Sequence, residues 1–237
     1  MLREYTSARV ELGRAGPSIP TRALLDFRLA HARARDAVHL PLAVKSLVIE
    51  LTQKGIPSLS LASAARNRDE YLKRPDWGRR LNEESRERLA ARRDSFDAAF
   101  VIADGLSALA VQRHAVPLIE FVMRDLEWKV APVAIVEQGR VAIGDEIGEL
   151  LGAKLVVVLI GERPGLSSPD SLGAYLTWEP RIGRTDAERN CISNIRTDGL
   201  SYAAAAQKLL FLMNESRQRK LSGVGLKEAA DNQRQVL

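Results

Sequence analysis

Glu162 is the residue of this chain best placed to do chemistry. It lies in Gly161-Glu162-Arg163-Pro164-Gly165-Leu166-Ser167-Ser168, directly behind the apolar run Leu155-Val156-Val157-Val158-Leu159-Ile160. An apolar β-branched run without alternation predicts a strand covered on both faces, and open α/β sheets place ligands beyond the carboxyl ends of such strands. A carboxylate held there can accept hydrogen bonds from a ligand. Taken alone, it reads as a loop cap or as the partner of Arg163 or another nearby arginine. Asp104, in Ala103-Asp104-Gly105-Leu106-Ser107, sits at a comparable strand end and by itself reads as a stabiliser of its own turn. Cys191, beside Ile192, reads as a small core residue, and His114, on an apolar helix, as a surface or interface histidine.

Common catalytic signatures are missing. The sequence has no G-x-x-x-x-G-K-[ST] loop, no G-x-G-x-x-G after a strand and no G-x-S-x-G elbow. His31, His39 and His114 are scattered and Cys191 is alone, so no metal spacing is present. On motifs alone the chain is a poor candidate for a self-contained enzyme.

The elements that must position these residues follow from periodicity. Ile143, Ile147, Leu150 and Leu151 fall at i, i+4, i+7 and i+8 and predict one apolar helix face. Asp145, Glu146 and Glu149 should lie largely away from it, with Gly152 as the stop. Upstream, Phe96–Ala103 predicts a strand, a helix should run to about Arg124, and 129–137 predicts another strand. Strand, helix, strand, helix, strand at this spacing is a βαβαβ pattern with parallel connections. Ala174–Trp178 predicts a further strand, 186–195 a helix and 201–221 a helix, before a polar tail expected to fray after Ser222. In the first part of the chain, Thr21 should cap a helix over 22–37 and a second should span 42–54. Leu59-Ser60-Leu61-Ala62 reads as an outer strand, and Asp76 as the cap of a charged helix over 79–92. The fold class is therefore α/β: a Rossmann-like parallel-sheet domain over 96–237, preceded by a mostly helical lobe over 1–95.

Composition sets the bounds. Of 237 residues 46% are hydrophobic and 27% charged, ordinary for a globular protein with a sizeable core. No apolar run approaches the ~20 residues of a membrane span, and no secretory signal opens the sequence. The single cysteine excludes an internal disulfide and makes a reducing cytoplasm the expected setting. A net charge of +5 keeps a non-catalytic nucleotide- or RNA-binding α/β domain open as an alternative function. Against it, the arginines of 79–93 are interleaved with Glu83, Glu84 and Glu87 and carry no aromatic residue to stack a base.

A set of motifs, in order, resembles one family. These are Arg74-Pro75-Asp76-Trp77-Gly78-Arg79-Arg80-Leu81, Ala103-Asp104-Gly105-Leu106-Ser107, Gly139-Arg140-Val141, Asp145-Glu146-Ile147-Gly148-Glu149, Gly161-Glu162-Arg163-Pro164-Gly165-Leu166 and Cys191-Ile192-Ser193-Asn194-Ile195. Together they resemble the small subunit of ethanolamine ammonia-lyase, over about residues 8–226. The resemblance implies an adenosylcobalamin-dependent enzyme, active only with its large subunit, that converts ethanolamine to acetaldehyde and ammonia by radical chemistry. It implies a hetero-oligomer in which the large subunit is a TIM barrel holding the substrate, with cobalamin clamped between that barrel and this chain. No nucleic acid or membrane partner is implied, and no catalytic residue falls here. The cofactor contacts carried over are Val141, Glu162 and Cys191. A carboxylate accepts amide N–H bonds, while valine and cysteine offer small apolar contact. Cobalamin in this family keeps its dimethylbenzimidazole on cobalt (base-on). No histidine here sits in the Asp-x-His-x-x-Gly setting of proteins that replace that base, which fits base-on binding and fits no cobalamin equally well. The helical lobe and one face of the α/β domain should be apolar where they meet the large subunit. Some family members carry a long polar N-terminal extension linked to bacterial microcompartments. Here the resemblance begins at about residue 8, so the cytoplasm is expected, with a microcompartment reached through a partner or another signal.

Overall fold

The apolar run at 155–160 is the middle of β4 (Ala153–Gly161), a strand buried at every position except Lys154. The structure, a computed structural model, describes residues 8–226. Before β4 come α1 (Thr21–His39), α2 (Val44–Gln53), β1 (Ser58–Ala62), α3 (Arg68–Lys73), α4 (Glu83–Ala90), β2 (Phe96–Ala103), α5 (Ala108–Arg124), β3 (Val133–Glu137) and α6 (Ile143–Leu151). After it come β5 (Leu172–Trp178), β6 (Arg189–Ile195) and α7 (Tyr202–Arg219), and single 3-10 turns lie at Trp77–Arg79 and Asp186–Glu188.

The six strands form one sheet in the order β1-β3-β2-β4-β5-β6. The first four are mutually parallel, as the βαβαβ pattern requires, while β5 and β6 extend the sheet by antiparallel pairing. The class is α/β with a Rossmann-like parallel centre. β1, from the part of the chain read as helical, is the outer strand the sequence predicted.

Both faces of the parallel strands are buried, but by different helices. Phe100, Ile102, Leu155, Val157 and Leu172 pack with Val111, Ile119, Leu209 and Met213 of α5 and α7. On the other face Val101, Val156 and Val158 meet Ile143, Ile147 and Leu151 of α6 and Leu89 of α4. Here α6 lies over β2 and β4 rather than over the middle of β5 and β6, where Tyr175 is half-buried and Cys191 exposed.

Several local expectations change. Pro20, not Thr21, is the N-cap residue of α1, and no side chain caps that helix. Asp76 caps nothing; its carboxylate pairs with Arg74, while the Asn82 side chain accepts from the Ser85 N–H to cap α4. Gly152 ends α6 in the left-handed region, as read. Residues 186–195 are not a helix but a 3-10 turn leading into β6. Asp145 and Glu146 are buried rather than turned to solvent, each because it has a partner. Arg189 binds Asp145, and Glu146 takes the Leu81 N–H and Arg86. The stretch after Ser222 is pinned by Asn190, whose amide exchanges hydrogen bonds with Gly223; the rest of the expected tail lies outside the described residues. Helix α1 buries only Ala30 and Ala37 and shows Leu25 and Leu29 to solvent. Among the described residues no helix is long and apolar enough to cross a membrane.

Candidate functional site

The carboxyl ends of β2 and β4 meet backbone to backbone. Gly105 has φ +57°, and a Cβ on it would stand 2.3 Å from the Gly161 carbonyl oxygen, so only glycine permits the approach. The Leu106 N–H donates to that same oxygen at 2.9 Å. Beyond this seam opens a cleft of about 450 Å3, lined among others by Tyr71, Arg140, Val141, Ile160, Glu162 and Tyr175.

Glu162 is the best-held side chain of the cleft. The Ser171 hydroxyl donates a short hydrogen bond to its Oε2, and the Asn194 N–H donates to the same oxygen at 3.2 Å. Its own N–H donates to the Ser171 carbonyl at 2.9 Å, so strand pairing and side-chain anchoring act together. Gly173 leaves room for it: a Cβ there would lie 3.2 Å from Glu162 Cγ and Oε1. Oε1 has no hydrogen bond among the described residues. The expected arginine partner is therefore absent within that set, and one carboxylate oxygen is left to accept from a ligand.

Val141 is placed by a network that begins at Asp104. The Asp104 carboxylate, 1% exposed, accepts the Gly139 N–H on Oδ1 and the Gln138 N–H on Oδ2, both at 2.9 Å. It thus holds the turn after β3, while the Gly105 N–H of its own turn, the partner the sequence reading gave it, also favours the carboxylate. Burial pushes the Asp104 carboxyl up to about 6, against the pull of Arg68 and the N–H donors. Arg68 stands 3.5 Å from Asp104 and donates to the Val38 carbonyl at the end of α1. The Tyr71 ring carries Arg68 at 4.6 Å and Arg140 at 4.1 Å, and its hydroxyl donates to Gly139 O. Arg140 in turn donates its N–H to Gly78 O at 2.7 Å, which seats the Gly-Arg-Val turn on the Trp77–Arg79 segment.

Cys191 lies outside the cleft lining but pairs with Tyr175 across the β5–β6 ladder. It is exposed rather than a core residue, because α6 stops short of β6. Burial, then neighbouring Cys191 and Glu162, hold the Tyr175 phenol well above its usual range. The buried Arg189–Asp145 pair, bidentate at 2.6 Å, ties β6 to the first turn of α6 just beyond Val141. His114 is buried, not at the surface: its Nδ1 meets the Tyr202 hydroxyl at 2.7 Å, and burial lowers its pKa. It contributes to packing under the loop that carries Ser171, not to the cleft.

The structure thus brings Val141 and Glu162 into one cleft and sets Cys191 beside it, through Tyr175. Sequence reasoning missed Tyr175, Ser171, Asn194 and Arg140. The alternation of Leu172, Ala174, Leu176 and Trp178 with Gly173, Tyr175 and Thr177 sets Tyr175 on the face away from the larger apolar residues, and it is the one position of β5 that is not buried. No local signal reveals Ser171, whose role arises from strand pairing, while Asn194 lies where the period of β6 breaks.

Comparison with known proteins shows the family. The family model for the ethanolamine ammonia-lyase light chain (EutC) matches residues 1–227. An ethanolamine ammonia-lyase small subunit of Azotobacter vinelandii is 60% identical over 237 residues, covering 97% of this chain and 88% of that protein. Proteins of the same name from Ralstonia nicotianae and Pseudomonas aeruginosa are 60% and 58% identical with similar coverage. This chain belongs to the ethanolamine ammonia-lyase light-chain family, the small subunit of a carbon–nitrogen lyase.

Proposed function

We propose that this subunit clamps adenosylcobalamin, base-on, against the large subunit of the lyase, with Val141, Glu162 and Cys191 as its contacts. The observation that carries the proposal is Glu162: a carboxylate fixed through Oε2, with Oε1 unpartnered among the described residues, on the wall of an open cleft. A corrinoid presents neutral amide arms around an apolar ring system, and the cleft offers that chemistry in return. Glu162 accepts amide N–H groups, while Val141, Ile160 and the Tyr175 ring supply apolar contact. The room kept by Gly173 holds the carboxylate beside the stretch of β5 and β6 where Tyr175 is half-buried and Cys191 is exposed.

When bound, the cofactor supplies homolysis of its cobalt–carbon bond; the protein supplies position and electrostatics. In this division of labour the chain contributes no catalytic residue. Ser171 and the Asn194 N–H orient Glu162, Asp104 orients the turn bearing Val141, and the Arg189–Asp145 pair fixes the spacing between that turn and β6. The large subunit, taken as a TIM barrel, holds the substrate and closes the opposite side of the cofactor. The outward Leu25 and Leu29 of α1, one turn apart on the same side of the helix, offer an apolar face for it. The cytoplasm is the setting this assigns, with a microcompartment reached through the partner.

The test is co-expression with the large subunit, followed by acetaldehyde production from ethanolamine and adenosylcobalamin with each chain omitted in turn. Turnover requiring both chains is expected, and Glu162→Ala should weaken adenosylcobalamin binding about tenfold, the worth of one hydrogen bond to a charged group. A well-formed complex whose cofactor affinity is indifferent to Glu162→Ala would reduce this chain to a structural partner.

A further inference from the structure

Arg140 and Val141 line a second cavity, of about 490 Å3, that adjoins the Glu162 cleft through them. Five guanidiniums border it: Arg79, Arg80, Arg140, Arg184 and Arg189. Its two carboxylates, Asp145 and Asp186, both face Arg189, at 2.6 and 3.4 Å, and Arg184 is held by Glu188. Arg79, Arg80 and Arg140 have no ion pair among the described residues; Arg140 lies over the Tyr71 ring and gives one Nη to the Tyr71 carbonyl at 3.2 Å, but its buried Nε has no hydrogen-bond partner. The neighbouring Arg74, by contrast, is paired with Asp76 and stacked over Trp77, so it is not part of this set.

Three unpaired guanidiniums around one concavity repel each other unless an anion joins them, and their planar forks match phosphate oxygens. The backbone adds to the same field. The cavity includes Val141 and Ala142 at the start of α6, whose N–H groups have no acceptor among the described residues. That is the positive end of the helix dipole. Glu162 serves neutral donors in one cleft, and the adjoining cavity is built for negative charge.

We propose that this cavity is a phosphate subsite, and that the group it takes is the phosphodiester in the nucleotide arm of the cobalamin bound next door. The proposal rests on the cobalamin reading above and adds a second anchor to it. The phosphodiester is the anionic group of that arm, and Arg79, Arg80 and Arg140 are the residues that hold it.

Equilibrium dialysis of the assembled two-subunit complex tests this with adenosylcobalamin, adenosylcobinamide phosphate and adenosylcobinamide, which differ in the base and the phosphate. The variants are Arg79→Gln/Arg80→Gln, at exposed positions without ion pairs, and Arg140→Lys, which keeps the charge but not the fork. The double variant should bind the two phosphate-bearing ligands at least about tenfold more weakly and adenosylcobinamide unchanged. Arg140→Lys should show a smaller loss with the same selectivity. Raising ionic strength should weaken adenosylcobalamin binding to the wild type more than to the double variant. Equal losses for all three ligands, or none, would overturn the subsite and leave the cofactor reading standing. Failure of every corrinoid to bind the wild-type complex would end both. Inorganic phosphate bound by the wild type without competing against adenosylcobalamin would assign the cavity to a free phosphate instead. A double variant that stays folded by circular dichroism but no longer assembles would make the cavity a docking surface for an acidic segment of the large subunit.

Discussion

Replacing Arg189 with methionine should expose how the site is held together. Both side chains of the Arg189–Asp145 pair are only 2% exposed, and the pair makes two parallel hydrogen bonds of 2.6 Å. Arg189 also donates to Thr177 Oγ1 and to the Arg184 carbonyl, so it joins β6, β5 and the β5–β6 turn to α6. Burial pushes the Asp145 carboxyl up in spite of the guanidinium beside it. Burial would also lower Arg189, but Asp145 more than offsets that and the guanidinium is raised. An ion pair this fully desolvated roughly breaks even against its burial. Breaking it is another matter. Arg189→Met leaves a buried, uncompensated carboxylate and should cost about 3–5 kcal/mol. With a urea m-value of roughly 2–3 kcal/mol/M, the unfolding midpoint should drop by roughly 1–2 M. Asp145→Leu combined with Arg189→Met should recover most of the loss, for a coupling energy above about 2 kcal/mol. Urea denaturation of the small subunit followed by tryptophan fluorescence reads both. Losses that simply add in the double variant would refute the claim that a desolvated pair joins the Val141 turn to the Cys191 strand.

Two further substitutions probe the same frame. Ser171→Ala removes the hydroxyl from Glu162 and leaves the Asn194 N–H, so adenosylcobalamin affinity of the complex should fall several-fold while stability drops by only about 1 kcal/mol; unchanged affinity would show that Ser171 does not orient the carboxylate. Asp104 predicts a pH effect. Its folded carboxyl, raised to about 6, contributes stability that is fully present below the unfolded value of about 3.9 and lost as pH rises through 6. Lowering pH from about 7 to 5 should therefore stabilise the wild type relative to Asp104→Asn by about 1 kcal/mol, read from unfolding midpoints at the two pH values. A relative shift of the opposite sign would mean that Arg68 and the backbone N–H donors outweigh burial.

The parallel centre of the fold was legible because its residues obey one rule at a time. β2 and β4 are apolar on both faces and read as covered strands; α6 carries its apolar stripe at helical spacing and ends on Gly152. What escaped were residues whose burial depends on a distant partner. Asp145 and Glu146 are polar by type and were assigned to solvent, yet Arg189, forty-four positions away, and the Leu81 N–H make burial tolerable. Cys191 failed in the opposite sense: small and apolar, it reads as core, but it lies exposed on β6. Burial of a polar group, or exposure of an apolar one, is decided by topology, which local sequence does not carry.

The misread strand β6 is the most instructive case, because the feature that hid it is part of the site. Its buried Ile192 and Ile195 lie three residues apart, a helical spacing, and Asp186-Ala187-Glu188 before them resembles a helix start. In the sheet those two isoleucines pair with Ala174 and Leu172, two residues apart on β5, so β6 holds one extra residue between them. Asn194 sits in that bulge with φ +60°, a conformation asparagine tolerates better than most side chains. The bulge shifts the strand's period and defeats a reading by alternation. It also aims the Asn194 N–H at Glu162 Oε2, where a regular strand would have turned it into the ladder. An irregularity in the pattern was thus the local sign of the site, and residues that break a strand's period beside a carboxylate are where the search for its anchor should begin.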